Sequence, residues 1–218
     1  MSEYKDFYKK IQFSLQDKYT PTDLIGLAAV MHENFPHVEY GGGRYKKLII
    51  ENPPQNISKP NEWQDLVQTI VFPEWDSFHP KTKQSEIIVR LVPTIWDIKK
   101  GVRVAGNGMN INIPGKGPEC WIRVAFLDGN QDVASKELIL FNIVHEIAEM
   151  DYWVKTSPDE TKKHLQTVNE ADLLANDLDQ YHNLADEKIA NGRAFRALQR
   201  KWPSEHIRSF VGSQQEIT

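Results

Sequence analysis

The chain has 218 residues, 40% of them apolar, with six Trp, nine Phe and seven Tyr, which excludes a disordered chain and suffices for a sizeable core. A net charge of -4 argues against a general nucleic-acid binder. Cys120 is the only cysteine, the N-terminus lacks an apolar signal core and no apolar run approaches a membrane span, so a soluble cytoplasmic protein without disulfides is expected.

Residues 3–17 predict an amphipathic helix, and Thr20 to Asp23 caps a second over about 23–34. Gly41 to Gly43 breaks the chain, without the spacing of a phosphate loop. Strands are expected at Tyr45 to Glu51, Glu86 to Val92, Val102 to Ala105 and Met109 to Ile113, with a short helix over Glu62 to Phe72. Asn107-Gly108 reads as a hairpin turn. Cys120 to Leu127 is the clearest strand, aromatic and β-branched, ending at Asp128-Gly129. Ser157-Pro158 caps a long helix over roughly 158–190 that stops near Asn191-Gly192, with two short helices after it. The order predicts a single α+β domain over 1–218: a helical segment 1–40, a strand-rich part 41–130 and a helical part 131–218.

Between strand and long helix lies Glu137 to Val154, apolar on every side and therefore a buried helix. It nevertheless carries His145, Glu146 and Glu149. Desolvating three such groups costs several kcal/mol unless they are paired or bind a metal. At about 100° per residue, Glu149 follows His145 by one turn and the two can meet one ion. Glu146 lies beside that ion, where a general base would act on water. The bland alternative is a local His145–Glu149 pair on a less buried helix. A third ligand must come from elsewhere, and Glu170 falls at the edge of the next helix's apolar stripe.

This combination resembles gluzincin-type zinc metallopeptidases, most closely the ImmA/IrrE-like family. Its His-Glu-x-x-His motif corresponds to His145-Glu146-Ile147-Ala148-Glu149, and its later Glu-Ala-Asn/Asp motif to Glu170-Ala171-Asp172. The resemblance covers about residues 119–180. It implies a zincin-like core with an antiparallel or mixed sheet on a buried active-site helix. It also implies zinc at His145 and Glu170, with Glu149 in place of the second histidine, Glu146 as the base, and a protein or peptide substrate held along the Cys120–Leu127 strand. A His/Glu/Glu set is harder than His/His/Glu, which leaves iron or manganese open, as well as an inactive zincin-like binding module.

Asp172 is a candidate for orienting a ligand, and His182 for orienting a ligand or polarising a substrate carbonyl. In the basic tail, Arg193, Arg196, Arg200 and Lys201 interleave with Phe195, Leu198 and Trp202. They would suit an acidic partner, with nucleic acid less favoured than a terminal helix pair whose basic face is solvated.

Overall fold

The computed structural model describes residues 37–40, 46–51, 65–80, 86–92, 95–97, 102–104, 106–113, 117–125, 134–168 and 177–211. The helices expected over 3–17 and 23–34, and the Gly41 to Gly43 break, lie outside them. Among the described residues the strands are β1 (His37–Tyr40), β2 (Lys46–Glu51), β3 (Glu86–Val92), β4 (Ile95–Asp97), β5 (Val102–Val104), β6 (Gly106–Ile113) and β7 (Gly117–Ala125). A π-helical stretch, Val67–Val71, runs into α1 (Phe72–Asp76). Then follow α2 (Lys136–Lys155), α3 (Pro158–Thr167), α4 (Leu178–His182), α5 (Ala185–Leu198) and α6 (Ser204–Val211).

The sheet has the order β1-β2-β3-β7-β6 and is mixed: β2-β3 and β3-β7 are parallel, β1-β2 and β6-β7 antiparallel. Together with the helices packed on it this makes the architecture α+β. β7 therefore lies inside the sheet, and β6 ends it among the described strands. The described part of the segment expected to hold substrate as an edge strand, Cys120 to Ala125, is flanked by β3 and β6 instead. Two hydrophobic strands of period 2 explain the choice: Val89 and Leu91 on β3 sit beside Ile122 and Val124 on β7, all buried on one face. Asn107-Gly108 is no hairpin turn, since both residues lie within β6, opposite Arg123 and Ile122.

The buried helix forms as its pattern predicts. Ser135 caps α2 by accepting from the Leu138 N–H at 3.1 Å, and Glu137 and Lys155 suit the two ends of the helix dipole. Ile139, Leu140, Ile143, Val144 and Ala148 are 0% exposed. The helix is apolar all round because β6 and β7 cover one side while the π-helical stretch, α5 and α6 cover the others.

After α2, Ser157 forms a capping box with Glu160, and Pro158 opens α3 as expected. The expected single helix over 158–190 is not formed. α3 ends at Thr167 with Val168 extended, and Asp177 caps α4 by accepting from the Gln180 N–H. α5 continues straight through Asn191-Gly192, the pair read as a helix stop. Tertiary packing overrides their propensity: both are buried, and Ala190, Ala194 and Ala197 on the same helix are fully covered.

An ion-pair network fixes α5 against α1 and α2. Arg193 donates to Asp151 at 3.0 Å and to Glu74 at 3.4 Å, and its guanidinium lies 4.1 Å from the centre of the Phe78 ring. Asp151, fully buried, also pairs with Lys155 and accepts from the His79 backbone N–H at 2.9 Å. Arg200 pairs with Glu74 and donates to the Ile70 carbonyl at 3.4 Å.

Candidate metal centre

α2 turns His145 and Glu149 toward α5, whose first two turns carry Glu187 and Asn191. His145 Nδ1 is 2.9 Å from Asn191 Oδ1. An amide oxygen only accepts, so Nδ1 carries the hydrogen and donates. The Nε2 face then meets two carboxylates, Glu187 Oε2 at 3.4 Å and Glu149 Oε2 at 4.0 Å. Phe141, one turn earlier, stacks on the ring at 6.4 Å between centroids.

Burial pulls the His145 pKa below the ordinary histidine value, against the opposing pull of Glu149, the Asn191 hydrogen bond and Asp186. The geometry of an ion pair and the pull of burial thus disagree, and burial dominates for a ring this enclosed. A neutral ring with hydrogen on Nδ1 has a lone pair on Nε2. That lone pair faces carboxylates, an arrangement that repels unless a cation lies between them.

One ligand atom from each of His145, Glu149 and Glu187 falls within 4.8 Å of the others. An ion held tetrahedrally at 2.0–2.2 Å places its donors about 3.3–3.6 Å apart. The His145–Glu187 separation already matches, and the remaining spacing closes by small side-chain rotations. One neutral imidazole and two carboxylates, with the far ring nitrogen held by a buried amide, fit a divalent cation.

Comparison of the chain with protein-family models, with curated proteins and with solved structures yields no match.

Glu146 is buried against β6, 7% exposed. Burial raises its pKa well above the ordinary glutamate value, and Glu149 and Glu187 push the same way. The Gly108 N–H, donating to its carboxylate, and the positive charge of Arg123 partly oppose this. β6 can pass so close because it has no side chain there. A Cβ built on Gly106 would come 2.2 Å from Glu146 Oε1, and one on Gly108 would meet Met150 Sδ at 2.8 Å.

Of the expected ligands, the structure brings His145 and Glu149 together, with Glu146 beside them. Glu170 and Asp172 lie outside the described residues. The carboxylate that the described residues do supply is Glu187. Its signal was present in the sequence as Glu187-x-x-x-Asn191, two polar groups one turn apart among alanines, but Asn191-Gly192 reads locally as a terminus. His182, at the end of α4, is half-buried, and burial, with the nearby titratable ring of His145, lowers its pKa while Asp179 opposes. In the basic tail, Arg193 and Arg200 are engaged by Asp151 and Glu74, whereas Arg196 and Lys201 are exposed. No helix among the described residues is long and apolar enough to cross a membrane.

Proposed function

We propose that this chain is a metal-dependent hydrolase of zincin type that cleaves a peptide bond, with His145, Glu149 and Glu187 holding the ion. The observation that carries the reading is the setting of the His145 ring: Nδ1 donates to Asn191 Oδ1 on one side, and Nε2 faces two carboxylates 3.4 and 4.0 Å away on the other. A bound divalent ion supplies Lewis acidity, polarising a carbonyl and acidifying water. Glu146 does the proton work. Its raised pKa suits a carboxylate that takes a proton from attacking water at one oxygen and returns it to the leaving amine. The Gly108 N–H fixes the direction of that carboxylate. β6, lying over Glu146, is where an extended peptide would add by main-chain hydrogen bonds.

The ion in this reading is divalent: zinc by the resemblance, iron or manganese by the two carboxylates in the set. Metal content of untagged protein beside His145→Ala and Glu187→Gln tests the site: near-stoichiometric metal in the wild type and its loss in both variants is expected. Glu146→Gln should retain the metal and lose peptide hydrolysis. Metal bound with no hydrolysis of any peptide library would favour a non-catalytic binding module on the same scaffold.

A further inference from the structure

One acidic group beside His145 is left unused by this reading. Asp186, the second residue of α5, is 3% exposed, and its Oδ1 has no hydrogen-bond partner among the described residues. Three buried side-chain polar atoms of the described residues lack partners: His182 Nδ1, Asp186 Oδ1 and Asn191 Nδ2. All belong to residues 182–191, the stretch of α4 and α5 that adjoins His145. Asp186 precedes the ligand Glu187 directly, and its charge acts on His145.

A buried carboxylate oxygen with no partner is strongly unfavourable unless a cation adjoins it. Of the cations on neighbouring elements, Arg193 and Lys155 are held by Asp151 and Arg200 by Glu74, while Lys188 on α5 is exposed. Arg123 acts on Glu146 instead. The carboxylates of Glu149 and Glu187 face the His145 ring and that of Asp186 acts on it, a set that suits a cation with several oxygen ligands.

We propose that Asp186 is a fourth protein ligand of the cation held by His145, Glu149 and Glu187, completing an oxygen-rich set that suits manganese(II) or iron(II). The inference rests on the metal centre described above. Asp186 is not among the three atoms already gathered within 4.8 Å, so ligation would require its carboxylate to turn toward them. One imidazole nitrogen and three carboxylate groups form a harder set than the usual zinc site, which narrows the advantage zinc otherwise holds.

The test is manganese(II) binding by the full chain, followed through the electron paramagnetic resonance signal of free ion, together with thermal melting of metal-stripped and manganese-loaded protein. The proteins compared are wild type, Asp186→Asn and His145→Ala. Asp186→Asn should raise the melting temperature of the stripped protein, because it replaces a buried carboxylate whose Oδ1 has no partner. It should also weaken manganese binding by roughly 10–100-fold and shrink the melting shift on loading. A merely structural aspartate would lower both melting temperatures and leave affinity unchanged, which would overturn the inference. If the wild type binds manganese and His145→Ala does not, unchanged affinity in Asp186→Asn removes Asp186 alone. If the wild type binds neither manganese nor zinc, the metal centre itself falls, and Asp186 with it.

Discussion

Gly106→Ala is the sharpest probe of how β6 and α2 share space. The new Cβ would stand 2.2 Å from Glu146 Oε1 and 2.6 Å from both Cδ and Cγ, so three atoms of the side chain collide and rotation of the carboxylate alone cannot relieve them. Restoring an ordinary contact near 3.4 Å needs about 1.2 Å of movement by a side chain that is 7% exposed. Overpacking of this kind costs about 1–3 kcal/mol. For a chain of this size that lowers the melting temperature by about 2–12 °C. The displacement also breaks the hydrogen bond from the Gly108 N–H. His145 and Glu149 face α5 rather than β6, so metal content should be retained while hydrolysis that depends on Glu146 falls by about 100-fold, as expected for a base misplaced by about 1 Å. The decisive assay is a double-mutant cycle with Glu146→Ala, read by urea or thermal unfolding. With the Glu146 carboxyl and methylene groups removed, Gly106→Ala should cost little, giving a coupling of more than about 1 kcal/mol. An equal cost in both backgrounds, or no cost in the wild type, would refute the close approach of β6 to Glu146.

Asn191→Leu removes the acceptor that holds the hydrogen on His145 Nδ1 and should weaken metal binding by roughly 10–100-fold, measured by competition with a chelator, with secondary structure unchanged. Arg193→Met removes the cation shared by Asp151 and Glu74 and should destabilise the fold by about 1–3 kcal/mol, since Lys155 and Arg200 still pair with those carboxylates. Combining it with Asp151→Asn should recover part of that loss in urea unfolding. Glu160, whose pKa is lowered by hydrogen bonds from the Ser157 side chain and backbone, stabilises the start of α3 above the ordinary glutamate range; that contribution is lost as the pH falls through the lowered value. Amide exchange of α3 between neutral and acid pH should show this loss in the wild type and not in Glu160→Gln.

Local rules were sufficient wherever a signal is complete within a few residues. The Ser157-Pro158-Asp159-Glu160 box specifies a helix start by itself, because its donors and acceptors lie within one turn. The apolar run from Glu137 to Val154 likewise dictates a buried helix, and with it the placing of Glu149 one turn after His145, with Glu146 beside them. Strand positions follow from β-branched runs, but their order does not: Cys120 to Leu127 has the same pattern at an edge as at the centre, and only pairing with both β3 and β6 places it inside. Asn191-Gly192 shows the limit most clearly. Taken alone the pair ends a helix, since both residues tolerate a left-handed backbone. In the fold the helix passes through them, and Asn191 reaches the ring of His145, 46 residues earlier. The sequence by itself therefore determined which helix carries the His-Glu pair and that its burial demands a partner. Only the tertiary structure decided that Glu187 faces His145, because the meeting of two helices depends on the packing of all the side chains between them rather than on any pattern within either one.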